Sequence, residues 1–206
     1  MISDVLLIII LFTGFATLHS AMASLKFKLK VASAAGNRIA LYRLFYNITS
    51  LITFAAFWEL SPKPQIYVYD LDTPFDLIMV ALQVVSLAGL IWAGRSMNAS
   101  GFLGITQLKK WIAGTYDPQE LDEKMTLSTG GAYKYSRHPV YLFSILFLGL
   151  RPAMSLFYFT AFICMVTYFY IGSVFEEKRM SEIFGEEYLR YKKKVPRIFP
   201  IRFNPK

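Results

Sequence analysis

Four apolar runs, each about as long as a bilayer is thick, leave this chain few ways to fold. They extend from about Val5 to Leu25, Leu41 to Leu60, Phe75 to Gly94 and Leu156 to Phe175, and a membrane-crossing helix needs roughly 20 such residues. In lipid every backbone amide must be satisfied within its own segment, so runs of this length read as helices. A fifth run, Val140 to Leu150, is apolar but too short to span comfortably. Of the 206 residues only 17% are charged and 55% are hydrophobic, which is too little polar surface for a soluble domain of this size. The first run has Asp4 where a signal peptide carries basic residues, and it continues too far for a signal peptide, so it reads as a retained helix. The expected fold class is an all-α integral membrane protein with about five membrane-embedded helices, the last two forming a helical hairpin.

The segments between the runs set organisation and orientation. The chain reads as a single membrane domain over 1–206, with a three-helix part over 1–94, a connecting segment over 95–138, the hairpin over 139–175 and a charged tail over 176–206. "KFKLKVASAAGNR" reads as a basic loop and "PQIYVYDLDTP" as an acidic one. Lys26, Lys28, Lys30 and Arg38 follow the first helix, whereas Lys63 faces Asp70 and Asp72 after the second. Arg95, Lys109, Lys110, Lys124, Lys134 and Arg137 follow the third, and the tail holds nine Lys and Arg against five acids. Basic residues collect on the cytoplasmic side, so all four counts place the amino terminus outside and the tail in the cytoplasm, close to membrane lipids. The net charge of +8 fits this topology without invoking nucleic acid. Cys164 alone forms no intramolecular disulfide, and two histidines without a His-Glu-x-x-His pattern give no basis for a metal site. A Gly-x-Gly-x-x-Gly turn after a strand and a P-loop are both absent from the sequence.

The short run begins with "YKYSRHPVYLF", where Arg137, His138 and Pro139 stand at the lip of an apolar helix on the expected cytoplasmic side. Proline suits the first helical position because its missing N–H would be unpaired there anyway. The free amides of a helix start attract anions, and Arg137 adds a fixed charge beside them. Arg and His at such a place also serve merely as headgroup anchors. Other polar groups fall in the same expected layer: His19 and Ser20, then Arg43, Tyr46 and Asn47, then Glu176 and Glu177. Ionisable groups near membrane depth are functional candidates, although His19 alone could be an ordinary interfacial imidazole. In the tail, Met180, Phe184, Tyr188, Tyr191 and Val195 share one helical face, opposite Glu182, Glu186, Arg190 and Lys194. That face fits either an amphipathic helix on the membrane surface or a lid over a cytoplasmic pocket.

"TLSTGGAYKYSRHPVYLF" followed by "FEEKRMSEIFGEEYLRYKKKVPRIFP" resembles the carboxy-terminal signature of the isoprenylcysteine carboxyl methyltransferase superfamily, which also includes phospholipid N-methyltransferases. "LHSAMASLKFK", "YRLFYNITS", "GFLGITQL" and "RPAMS" are similar to the branch containing NnrU-type proteins, bacterial methanethiol S-methyltransferases and nurim. The resemblance implies a membrane methyltransferase that binds S-adenosylmethionine on the cytoplasmic side. It implies that His138, Tyr141 and the Glu176-Glu177 pair contact the cofactor; the helix start and Arg137 suit its carboxylate, and Tyr133 and Tyr188 are further cofactor-binding candidates. His19, Asn47 and Gln107, which lie in the branch-specific motifs, are the candidate catalytic residues on the acceptor side. Met125 stands where prenylcysteine enzymes tend to have histidine, and Ala132 replaces a frequent proline. A small or membrane-dissolved acceptor, with thiols among the candidates, is therefore expected ahead of a prenylated protein end. The alternatives are a non-catalytic, nurim-like multi-pass protein and a transporter, the latter lacking any visible repeat of hydrophobic segments.

Helix lengths add one geometric expectation. An ascent of about 12 residues rises roughly 18 Å and a descent of about 20 to 23 drops roughly 30 to 34 Å. Unless the two helices tilt differently, Glu176 should lie well below His138. Arg151 and Pro152 would turn either within the membrane or near its outer face.

Overall fold

A computed structural model describes residues 1–119, 121 and 126–201; Met125, the departure noted above, lies outside the described residues. Among the described residues eight α-helices and two short strands occur in the order α1 (Ile2–Ala23), α2 (Leu25–Ala35), α3 (Tyr42–Leu60), β1 (Tyr67–Asp70), α4 (Phe75–Gly94), α5 (Ala99–Leu103), α6 (Ile105–Ile112), α7 (Pro139–Gly149), β2 (Ala153–Ser155) and α8 (Leu156–Lys194). Among the described residues, four helical stretches are long and apolar enough to cross a membrane: Ile2–Ala23, Leu25–Leu60, Phe75–Gly94 and Leu156–Lys194. The 11-residue α7 is apolar but shorter. The protein is thus mostly helical and membrane-embedded. Its contacts divide it into two compact units, one comprising Met1–Pro62 with Met97–Thr126, the other Lys63–Ser96 with Leu127–Lys206.

In the first unit, α1 and α3 meet through edge-on rings, with Phe12 against Phe57 and Phe15 against Phe54, each pair at 5.4 Å. Such pairs are preferred because a positive ring edge meets a negative face. "KFKLKVASAAGNR", expected as a loop, is largely the helix α2. Ser24 caps its start, the hydroxyl accepting from the Phe27 amide, and Gly36 ends it at φ 53°. A 3-10 turn over Gly36–Leu41 joins it to α3. Met22, Ile39, Tyr42 and Tyr46 form the buried cluster beneath this turn, packed on Val31 and Ala32. The α5–α6 corner needs Gly104, which sits at φ 88° and presses on α3, where an added Cβ would come within 2.7 Å of the Leu44 nitrogen.

In the second unit α7 packs along α4, and Gly89 leaves room for the Phe143 ring, which an added Cβ would meet at 2.3 Å. Gln83 donates to the Phe147 carbonyl at 2.9 Å, tying the two helices by a half-buried polar contact. "PQIYVYDLDTP", expected as a loop, supplies β1, which pairs antiparallel with β2 through Tyr67 with Ser155, Tyr69 with Met154 and Asp70 with Ala153. The Tyr69 hydroxyl donates to the Arg151 carbonyl at 3.0 Å, so the hairpin turn is held by strand pairing. Ser155 then caps α8 by accepting from the Tyr158 amide at 3.2 Å.

Helix α8 does not stop at Phe175. It continues to Lys194, interrupted only at Gly185, whose φ of 52° and ψ of −129° suit glycine alone. Beyond that break Tyr188 and Tyr191 are buried and Arg190 and Lys194 exposed.

Candidate functional site

The expected offset between Glu176 and His138 does not occur. His138 Nδ1 lies 3.4 Å from Glu176 Oε2, and its Nε2 lies 3.4 Å from Glu177 Oε1. The chain closes this loop with extended backbone. From Glu177 back to the start of α8 is roughly 32 Å, against roughly 17 Å for α7, at about 1.5 Å per residue. The remaining 15 Å or so falls within the roughly 20 Å reach of extended chain over the residues that include β2. The missing rise is made by extended chain that includes β2 rather than by more helix.

Glu177 is the centre of the site. Its carboxylate is 1% exposed, and Arg137, itself 8% exposed, donates to Oε1 from Nε at 2.8 Å and from Nη2 at 2.7 Å. Arg197 reaches Oε1 from Nε at 3.1 Å and Oε2 from Nη2 at 3.2 Å. Lys192 Nζ approaches Oε2 at 3.2 Å. A buried carboxylate is tolerated only when it is paired and hydrogen-bonded, and here three cations converge on one. Arg137 is fixed further by donating from Nη1 to the carbonyls of Lys192 and Val195.

Glu176, the next residue on the same helix, has a different environment. It is 46% exposed, accepts from the Tyr141 hydroxyl at 3.2 Å and pairs with His138. The His138 ring stacks on Tyr141 at 5.3 Å, and Tyr141 stacks on Phe169 at 4.9 Å, both nearly parallel. His138 is the cap of α7 with Pro139 in the first helical position, as the lip sequence suggested. Its buried Nε2 has no aligned hydrogen-bond partner although it is close enough to Glu177 for charge attraction.

Burial favours the neutral imidazole, but Glu176 and Glu177 hold its proton and the balance raises the pKa above the ordinary 6.5. A raised pKa gives stability that is complete below pH 6.5 and lost as pH rises through the folded-state value. Thermal stability should therefore fall as pH rises above 6.5, and His138→Gln should flatten that part of the profile. An unchanged slope in the variant would remove His138 as its source.

The remaining sequence candidates are placed as follows. The Tyr133 carbonyl accepts from the Tyr191 hydroxyl at 2.7 Å, and Tyr188 is buried beside Tyr191. In the first unit, His19 Nε2 lies 2.7 Å from the Tyr46 hydroxyl and Nδ1 lies 2.9 Å from Ser50 Oγ, so the ring plane is held from both sides. Asn47 donates to the Phe102 carbonyl at 2.8 Å and Gln107 to the Gly101 carbonyl at 3.2 Å; both amides support the α5 loop. Arg197, Lys192 and Ser136 were not found by sequence reasoning. The available signal was the closing Val195-Pro196, which directly precedes Arg197.

Beside the lip, an apolar groove of 620 Å³ is lined by Trp92, Tyr135, Pro139, Phe143, Leu146 and Phe199. Membrane-length helices, a charged lip at the start of α7 and an apolar groove next to it define a membrane protein with a polar site at a helix end. Its family is specific: the sequence model of the phospholipid methyltransferase family matches residues 82–187, and the chain belongs to that family. It is a membrane methyltransferase, in agreement with the signature read at Arg137–Phe143.

Among individual proteins, it is similar to methanethiol S-methyltransferase 1 of Bradyrhizobium diazoefficiens, 28% identical over 96% of this chain and 67% of that protein. It is equally similar to the methanethiol S-methyltransferase of Pseudomonas deceptionensis, 28% identical over 96% of this chain and 73% of that protein. The enzyme of the same name from Crocosphaera subtropica is 25% identical over 90% of this chain and 71% of that protein. No solved structure matches the chain.

Proposed function

We propose that this methyltransferase takes its methyl group from S-adenosylmethionine and delivers it to a small or membrane-dissolved thiol. The observation that carries the donor assignment is the unequal pair at the lip, with Glu177 sealed among cations and Glu176 exposed beside it. The lip residues fit such a donor. Glu176 suits the ribose hydroxyls or the ammonium group, and the cations Arg137, Arg197 and Lys192 against two carboxylates leave positive charge for the donor's carboxylate. His138 Nε2 is buried without an aligned partner, and Tyr141 presents its hydroxyl at Glu176. When bound, S-adenosylmethionine supplies a methyl carbon on a sulfonium that a thiolate displaces in line, giving a thioether and the neutral sulfide.

A thiol acceptor is supported by the names of the relatives, and a membrane-dissolved one by the apolar groove at the lip. On this reading His19, Asn47 and Gln107 form the acceptor side, His19 holding or removing the thiol proton. Tyr46 and Ser50 keep its ring in one plane. The whole chain acts as one membrane domain with five embedded helices, α7 included. On the same reading the amino terminus is outside and the 176–206 tail cytoplasmic, which the basic residues between the apolar runs support.

The test is to incubate the purified protein with radiolabelled S-adenosylmethionine and separate small thiols, a prenylcysteine analogue and phospholipids. Label should enter the thiols. Label only in prenylcysteine or phospholipid overturns the acceptor, and label in none favours the non-catalytic, nurim-like alternative. In the same assay His19→Ala should lower turnover about a hundredfold. Donor affinity should stay within about twofold, the pattern of a group that acts on acceptor or transition state.

A further inference from the structure

We infer that Arg197 is a positioning residue of the methyl-donor site, acting through Glu177; this rests on the donor assignment above. Side-on donation by Arg137 is directed at Oε1 of Glu177. Oε2 is left to Lys192, whose side chain is 40% exposed, and to Arg197. Lysine offers a point charge on a flexible stem, whereas the planar guanidinium of Arg197 bridges both carboxylate oxygens and so fixes the plane of the carboxylate. That plane in turn fixes the Arg137 fork and the approach of Glu177 to His138 Nε2.

The backbone shows that Arg197 is delivered to this position. The Arg137 amide donates to the Pro196 carbonyl at 2.9 Å and the His138 amide to the Arg197 carbonyl at 3.0 Å. Ser136 Oγ donates to the same Arg197 carbonyl at 3.2 Å. Ile198 is buried with Leu142 and Ile145 of α7, and the Arg197 guanidinium lies over the Tyr170 ring at 5.4 Å. Pro196 and Arg197 are therefore hydrogen-bonded to Ser136, Arg137 and His138, and Ile198 is packed on α7. The segment is part of the site's frame, and Arg197 is its only side chain that reaches the buried carboxylate.

The test is a double-mutant cycle read by equilibrium binding of S-adenosylmethionine to the full-length protein, with thermal unfolding recorded for each variant. Arg197→Ala should weaken binding about tenfold in the wild-type background and less than about twofold in the Glu177→Gln background, because its effect passes through that carboxylate. Arg197→Lys should recover part of the loss, and it carries the cycle if the alanine variant does not fold. Equal losses in both backgrounds would mean that Arg197 touches the donor directly, and a lowered melting temperature with unchanged affinity would make it structural only; either overturns the proposal. Absence of binding by the wild-type protein overturns the donor assignment and the positioning role with it. That outcome differs from a wild type that binds and Arg197 variants that bind equally well.

Discussion

Glu177→Ala should lower the unfolding free energy by about 3–5 kcal/mol, the cost of breaking a buried ion pair from one side. The carboxylate is 1% exposed and Arg137 8% exposed, so its removal leaves a guanidinium buried without its countercharge. Arg197 and Lys192 would repel the same site. Binding of the proposed donor should disappear together with the fold of the lip. Unfolding in detergent, followed by helix content, measures the loss. A variant that melts with the wild type would show that the three cations do not depend on Glu177. Glu177→Gln should fall between the two, since the amide keeps the shape and one acceptor oxygen but loses the charge.

Glu176→Gln should behave in the opposite way. Its carboxylate is 46% exposed, so stability should move by no more than about 0.5 kcal/mol. Donor affinity should fall by about ten- to a hundredfold, the equivalent of about 1.5–3 kcal/mol for charge-assisted hydrogen bonds. Binding of S-adenosylmethionine, measured on folded protein, checks this. Unchanged affinity would remove Glu176 from the donor site. With those outcomes, two adjacent glutamates would separate into one that holds the lip together and one that faces the proposed donor.

The membrane helices were legible because a bilayer-length apolar run permits only one backbone solution. Phe75–Gly94 was expected and observed with the same limits, and α3 and α7 agree to within a residue at each end. What hydropathy does not register is where a helix goes once it becomes polar. Glu176 to Phe184 are mostly good helix formers without a breaker, so α8 runs on until Gly185. In α2 the alternating Leu and Lys residues hid a helix set by its Ser24 cap and Gly36 stop. The strand in "PQIYVYDLDTP" depends on pairing with residues some eighty positions later, which no local pattern encodes. The same holds for Arg197. "RHP" and "EE" could be assigned to one cofactor through the family signature, but the second guanidinium on Glu177 comes from the far side of a glycine break and a Val-Pro turn.

Because Glu176 and Glu177 sit side by side on one helix, α8 works as a ruler with a phase. Each residue advances the chain about 1.5 Å and turns it about 100°. Removing one residue between Ser155 and Glu176 would therefore turn Glu177 off Arg137, while moving the pair only a bond length or so along the axis. Removing a whole turn would restore direction but shift the carboxylates about 5 Å. The stretch Leu156–Phe175 is thus fixed in length as well as at the rings, Phe169 and Tyr170, that meet Tyr141 and Arg197. The reading frame of the site is written in the number of residues between Ser155 and Glu176.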